Sequence, residues 1–151
     1  MHDLLRPLPP TPNPHPLRDG LVSLFHDDPR LAFELCGRAG GPIIGPSLEI
    51  RSERRDFVDP HDPDRVHQTD AVFVAYTERA GSRVAVVGLA LEILVSVDPS
   101  RPPGWDVYPE GIRRRHGCPG QVVIVSPLPE VRRWASEQQQ ARALASGLLH
   151  S

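Results

Sequence analysis

The sequence contains no lysine, and all 17 of its basic residues are arginines. Any mechanism that needs a lysine from the same chain is therefore excluded. Arginine can still hold a phosphate group, because its guanidinium is a rigid two-pronged donor. The net charge of −2 also lacks the strongly basic balance of a protein that binds nucleic acid over its whole surface. Composition alone therefore supports no particular partner.

Cysteines and long apolar runs are scarce as well. Cys36 and Cys118 are spaced neither as CxxC nor as CxxH, so we expect two reduced thiols and no disulfide framework. No apolar run reaches the roughly 18 residues that cross a bilayer. Prolines occupy the place where a signal peptide has its apolar core. We therefore expect a cytoplasmic protein that does not insert into a membrane.

A chain of 151 residues fits a single domain that can bury enough apolar surface to fold without staples. Its first 17 residues contain six prolines and no apolar periodicity. We predict a disordered arm over residues 1–18, a folded domain over residues 19–140 and a polar tail over residues 141–151. A proline-rich arm can dock in an aromatic groove, so an interaction protein that uses its arm is one open hypothesis.

Apolar periodicity predicts a mixed α/β domain, in which a small mixed sheet is flanked by helices on both faces. Caps and breakers predict a first helix that ends near Gly37, a helix that restarts or is kinked at Pro109, and a last helix that opens at Pro129. A polar, proline-broken loop is expected over residues 52–68. The predicted strands are Leu48 to Arg51, Ala71 to Tyr76, Arg83 to Val97 and the uncharged Gln121 to Ser126. The second and third should form an antiparallel hairpin, and the fourth fits burial on both faces.

Glu92 is the most informative residue, because it interrupts an otherwise apolar stretch from Val84 to Val95. An unpaired buried carboxylate costs several kcal/mol, so Glu92 should reach water at a strand end, be paired or bind a metal. Asp70 begins the preceding strand, and a hairpin can bring the two carboxylates to the same edge of the sheet. Two such oxygen donors would suit Mg²⁺ or Mn²⁺, which keep several waters.

Four ordered stretches resemble a family of small bacterial proteins in the PD-(D/E)XK nuclease superfamily, similar to Rpn-type transposase and nuclease domains. They cover about three-quarters of the chain and read SLFHDDPRLAFEL, TDAVFVAY, ALEILVSVDPSRPPGWDVYPEGIRRR and CPGQVVIVSPLPEVRRWA. The resemblance implies a restriction-endonuclease-like core. It also implies that Asp70 and Glu92 are catalytic metal ligands for Mg²⁺ or Mn²⁺, with Glu34 as a supporting carboxylate and DNA as the substrate.

The chain departs from the family at the third motif position, where members carry a lysine or glutamine that orients the nucleophile. Leu94 stands there, and strand alternation puts its aliphatic side chain on the same face as Glu92. An arginine from residues 113–115 could take over the role, although three adjacent arginines are typical of a solvated helix face. Pro109 is a second departure, since related proteins run an unbroken helix through that point.

Two hypotheses about activity therefore remain open. The first is a metal-dependent endonuclease that acts on nucleic-acid phosphodiesters through Asp70 and Glu92. The second is a catalytically dead member, a pseudoenzyme, that keeps the fold as a binding or scaffolding module. A metal site formed by His61, Asp62 and His67 with Asp70 is disfavoured, because these residues lack compact ligand spacing. A homodimer is also possible, but the sequence reveals no self-complementary patch that would demonstrate one.

Overall fold

The structure is a computed structural model that describes the backbone of residues 15–150 and the side chains of residues 15–145. Most of the predicted proline-rich arm lies outside the described residues. The helices are α1 (Pro16–Asp27), α2 (Pro29–Arg38), α3 (Pro102–His116) and α4 (Pro129–His150). The strands are β1 (Glu49–Glu53), β2 (Asp56–Asp59), β3 (Asp62–Gln68), β4 (Ala71–Arg79), β5 (Ser82–Ile93) and β6 (Gly120–Val125).

The main sheet has four strands in the order β1-β4-β5-β6. The pairs β1–β4 and β4–β5 are antiparallel, whereas β5 and β6 run parallel and are connected through α3. Ala80 and Gly81 have φ angles of 52° and 79°, which form the tight turn of the β4–β5 hairpin. The mixed α/β class and this hairpin are confirmed.

Alternate residues of β4 and β5 feed two separate cores, one on each face of the sheet. Phe73 and Leu91 point to the α1–α2 face, where they pack with residues of α1 and α2 such as Phe33. Val74 and Ala90 point to the α3–α4 face, which is covered by α3 and the first turns of α4. The two cysteines are buried and unbonded, one in each core. The sheet therefore separates two layers of different composition.

The loop predicted over residues 52–68 is wrong, because β2 and β3 pair there as a second, two-stranded sheet. Phe57 points inward and packs on Tyr108 of α3 at a ring-centroid distance of 5.7 Å. The side chain of Asp59 accepts a hydrogen bond of 2.8 Å from the backbone N–H of His61, which closes the turn. Prolines and charged residues hide this alternation in the sequence.

Further features of the structure bear on the prediction, and two of them are helix boundaries. Strand β6 is an edge strand; its side chains pack against the cores on both faces, as predicted, but most of them are only half-buried. Helix α4 continues to His150 through the predicted polar tail. Helix α1 begins at Pro16, so the last residues assigned to the arm belong to the folded domain. Helix α3 runs through Pro109. Gly120 of β6 packs directly against the Pro109 backbone, where an added Cβ would lie only 2.3 Å from the Pro109 carbonyl oxygen.

None of the helices in the described part of the chain combines the length and the hydropathy that crossing a membrane requires.

Candidate functional site

Asp70 and Glu92 lie side by side where β4 begins and β5 ends. The β4–β5 register pairs Ala71 with Leu91, and one more step along the ladder sets Asp70 opposite Glu92. The backbone N–H of Asp70 extends the ladder by donating to the Leu91 carbonyl at 3.1 Å. The hairpin thus brings together the two carboxylates that are 22 positions apart in the sequence.

Both oxygens of Asp70 are engaged, and the residue is only 3% exposed. Its Oδ2 accepts a hydrogen bond of 2.7 Å from the backbone N–H of Ile93. Its Oδ1 accepts a hydrogen bond from Nη2 of Arg18, in the first turn of α1. The carboxylate is thus fixed between the end of β5 and a helix of the α1–α2 face.

Glu92 is fully buried, and both of its oxygens accept hydrogen bonds. Trp105 Nε1 donates to Oε1 at 3.0 Å, while Arg101 Nη1 donates to Oε2 at 2.8 Å. The Thr69 hydroxyl lies 3.3 Å from the same Oε2. Burial raises the pKa of Glu92 above its ordinary value, and the nearby Arg101 charge opposes that rise. Glu92 is therefore paired and hydrogen-bonded, which is how a buried carboxylate is tolerated.

Arg101 bridges the two carboxylates. Its Nη1, which donates to Glu92, lies 3.6 Å from Oδ2 of Asp70, and its Nε lies 3.5 Å from Oδ2 of Asp98. We call Arg18, Asp70, Glu92 and Arg101 the arginine–carboxylate cluster. Within these four residues, two positive charges face two negative ones, which reduces the attraction for a further cation.

The two arginines reach the cluster from opposite sides of the sheet. Arg18 comes from α1, whereas Arg101 is the residue that caps the N-terminus of α3. Burial and the neighbouring Arg101 lower the pKa of Arg18 from its ordinary value. Each helical layer therefore supplies one cation to the end of the central hairpin.

Leu94 lies on the same side as Glu92, as strand alternation predicts. It is 2% exposed and belongs to the apolar core of the α3–α4 face. The side chain brings neither a charge nor a hydrogen bond to the carboxylates. The third motif position is thus an apolar packing residue in this chain.

Several predicted site residues lie elsewhere. Glu34 is exposed on α2, on the opposite side of the sheet from Glu92. Arg113 and Arg114 pair with Glu110 on the exposed side of α3, and neither reaches the cluster. The remaining candidates are also dispersed: His67 bonds to Asp59, Arg115 donates to the backbone of residues 54 and 56, and His61 and Asp62 are exposed on the β2–β3 hairpin.

The cluster does not fit a divalent metal as it stands. Mg²⁺ and Mn²⁺ require free oxygen ligands in near-octahedral geometry. All four carboxylate oxygens of Asp70 and Glu92 already accept hydrogen bonds, two of them from guanidinium groups. No cluster of three or more His, Cys, Asp or Glu side chains suited to a metal occurs within the described range. A metal at these oxygens would compete with the arginines that now hold them.

Sequence reasoning missed the two arginines that complete the site. Arg18 falls within the predicted arm, and Arg101 within the predicted proline-rich bend. The signal that could have found Arg101 is Glu92 itself, because a buried carboxylate is tolerated when a cation pairs with it. Arg101 is the first arginine that follows Glu92 in the sequence.

Comparisons of the chain with protein-family models, with curated proteins and with solved structures found no match.

Proposed function

We propose that this chain is a nuclease-like binding module that does not cleave nucleic acid. One observation carries the proposal: every oxygen of Asp70 and Glu92 is held by an internal donor, and guanidinium groups of Arg18 and Arg101 neutralise the pair. In this proposal, the acidic pair that metal-dependent nucleases use for catalysis has become an internal ion-pair network.

The energetic argument concerns what a metal would have to replace. Separating one partner from a buried ion pair costs about 3–5 kcal/mol, because the remaining charge loses its compensation. Arg101 is 22% exposed and Arg18 is 27% exposed, so both are held in place rather than free in solvent. A divalent ion would gain two carboxylates but lose the arginines that now satisfy them.

Leu94 supports the same proposal from a different direction. The resemblance implies a lysine or glutamine at this position, which would orient the nucleophile. A leucine packed in the core can do neither this nor the stabilisation of phosphate charge. A site that lost both its metal and its third polar group would retain the fold without the reaction.

DNA is the ligand that the resemblance suggests, and a cytoplasmic location fits such a ligand. Several surface arginines are already paired within the chain, including Arg54 with Asp56 and Arg113 with Glu110. These pairs reduce the charge that is available to phosphates. We therefore expect DNA affinity to be weak and salt-sensitive.

The alternative candidate is a Mg²⁺- or Mn²⁺-dependent endonuclease. It is favoured by the placement of Asp70 directly opposite Glu92 at one strand end. In that candidate, Arg101 would supply the positive charge that Leu94 cannot. It requires Arg18 and Arg101 to release the carboxylates when the metal binds.

The experiment is a cleavage assay on supercoiled, linear and single-stranded DNA in Mg²⁺ or Mn²⁺. Wild type is compared with Asp70→Asn, Glu92→Gln, Arg101→Gln and Leu94→Lys, after circular dichroism has shown that each variant folds. The proposal predicts no cleavage by wild type. Metal-dependent cleavage that Asp70→Asn and Glu92→Gln both abolish would overturn it, and further loss in Arg101→Gln would assign Arg101 to the reaction. Cleavage gained by Leu94→Lys alone would show that the acidic pair still accepts a metal.

A further inference from the structure

The two edges of the main sheet differ in charge. Strand β1 carries Glu49, Arg51 and Glu53, so three of its five residues are charged. Strand β6, GQVVIV, has no charged residue, no proline and no bulge against β5. Open edges are usually protected from pairing with another chain by charges, prolines or bulges. The β1 edge has such protection, and the β6 edge does not.

The backbone of β6 presents an unused ladder. Pro119 and Val125 accept hydrogen bonds from Gly88 and Leu94 respectively, so the odd-numbered residues face β5. The N–H and C=O groups of Gly120, Val122 and Ile124 consequently point away from β5. Among the residues that the structure describes, no strand pairs with β6 on that side.

An uncharged surface adjoins this edge. Beside the start of β6 lies a hollow of about 430 Å³ whose walls include Ile43, Val86, Pro119 and Gln121. None of the residues that line it is charged. Ile43 is 88% exposed and Val86 is 38% exposed. Exposed apolar surface that continues from an open strand edge is typical of an interface.

We propose that β6 pairs antiparallel with β6 of a second copy of this chain, which would join the two sheets across a two-fold axis. An axis through Val122 would set Val122 opposite its own copy and Gly120 opposite Ile124, with no charge in the ladder. The same operation on β1 would set Arg51 opposite Arg51 and Glu49 opposite Glu53, and like charges that face each other are destabilising. Self-pairing is therefore favoured at one edge only.

Residues 1–14 of the same chain are a poorer occupant of the edge. Five of them are prolines, which lack the N–H donor that a ladder requires. A second β6 supplies a donor and an acceptor at each outward-facing position. The proposal does not depend on whether Asp70 and Glu92 are catalytic.

The experiment measures the mass of the full chain in solution by light scattering, together with hydrogen exchange at individual amides. The expected mass is twice the 16.7 kDa of one chain. Val122→Pro removes an outward-pointing N–H and breaks no hydrogen bond to β5, although it also changes a half-buried side chain that packs on the α3–α4 core. It should yield a folded protein with the mass of one chain. If Val122→Pro fails to fold, Gln121→Lys places a charge beside the same edge and should also yield a single chain.

The internal control is the alternation of amides along β6. In the dimer, the amides of Val122 and Ile124 should exchange slowly, and they should exchange quickly on dilution to the monomer. The amides of Val123 and Val125 bond to β5 and should stay protected in both states. A monomer at every concentration would overturn the proposal. So would a dimer whose Val122 and Ile124 amides exchange as quickly as those of the monomer.

Discussion

The two faces of the β4–β5 hairpin differ in the kind of β5 side chain that they bury. On the α1–α2 face, β5 contributes Leu89, Leu91 and Ile93, which pack in an entirely apolar cluster. On the α3–α4 face, the alternate positions include Ala90 and Leu94, but also Glu92 with 0% exposure. The β5 side chains on the α1–α2 face are thus all apolar, whereas those on the α3–α4 face include a buried carboxylate. The α1–α2 layer joins the charge network only at the end of the sheet, through Arg18 and Asp70.

This difference identifies the part of the core whose residues are not explained by stability alone. A hydrophobic residue in place of a buried ion pair is often neutral or stabilising. At the position of Glu92, an aliphatic residue would pack without the desolvation cost of a buried charge, as the neighbouring residues of β5 do. The arginine–carboxylate cluster is therefore the part of the core that packing alone does not explain. Under the proposed function, this cluster is what remains of a metal-binding site.

The largest expected effect on stability is at Glu92, in the arginine–carboxylate cluster. Glu92→Ala should lower the free energy of unfolding by about 3–5 kcal/mol, because it leaves Arg101 and the Trp105 N–H without their buried acceptor. Urea denaturation at neutral pH measures the change. The matched apolar change, Leu91→Ala, should cost about 2–5 kcal/mol through the cavity it creates. A loss below about 1 kcal/mol for Glu92→Ala would mean that the cluster contributes no buried pairing.

The next effect separates charge from packing. Arg101→Met should lower the free energy of unfolding by about 1.5–3 kcal/mol, the range for a lost hydrogen bond to a charged group. The full cost of an unpaired buried charge is avoided because Glu92, whose pKa burial already raises, can take up a proton instead. The double change Glu92→Met with Arg101→Met removes both charges. It should be less destabilising than the sum of the two single changes by about 0.5–3 kcal/mol, as measured in a double-mutant cycle. Additive losses would contradict direct pairing between Arg101 and Glu92.

A smaller effect concerns pH. Burial raises the folded-state pKa of Glu92 above its ordinary value of 4.5, so the folded protein holds this proton more tightly than the unfolded chain does. The resulting stability is fully present below pH 4.5 and is lost as pH rises through the folded-state pKa. Wild type should therefore lose stability relative to Glu92→Gln as pH rises from about 4.5, by about 1.4 kcal/mol for each unit of the pKa rise.

The control for this comparison is Arg101→Met, which removes the charge that opposes the rise in the pKa of Glu92. In that background the loss of stability should extend to higher pH. Denaturant titrations at several pH values give the three curves. A wild-type curve that gains stability relative to Glu92→Gln over the same range would show that the pKa is lowered instead.

The smallest effect is expected at the exposed arginines of α3. Arg113→Ala and Arg114→Ala each remove an ion pair with Glu110 on the solvent side. Solvent screens exposed pairs, so thermal melting temperatures should change little. A loss of stability as large as that of Arg101→Met would contradict the account, because the exposed arginines would then contribute as much as the partly buried Arg101.

The sequence predicted the mixed α/β class and the β4–β5 hairpin because these depend on local alternation and a turn. It also selected Asp70 and Glu92, since a carboxylate that breaks an apolar strand is visible without a structure. The β2–β3 hairpin escaped because Pro60 and Pro63 interrupt its pattern. Arg18 escaped for a different reason: its contact with Asp70 spans 52 positions and leaves no periodic trace.

The position of β6 illustrates a further limit. Its uncharged composition predicts burial on both faces, and its side chains do pack against both cores, but composition does not reveal that β6 forms the edge of the sheet among the described residues. Composition indicates how hydrophobic a strand is, but not whether its edge is covered by another strand of the same chain or by a second chain. Only the topology distinguishes the two cases.

The most direct test of the arginine-neutralised site is a Mn²⁺ titration of the folded protein, followed by electron paramagnetic resonance of the free ion. Wild type should leave the Mn²⁺ signal unchanged, because Arg18 and Arg101 occupy the carboxylates. The variant Arg18→Ala with Arg101→Ala should bind Mn²⁺ if the acidic pair has kept its metal geometry. Stoichiometric binding by wild type that Asp70→Asn abolishes would contradict the account and restore the metal-dependent nuclease as the better proposal.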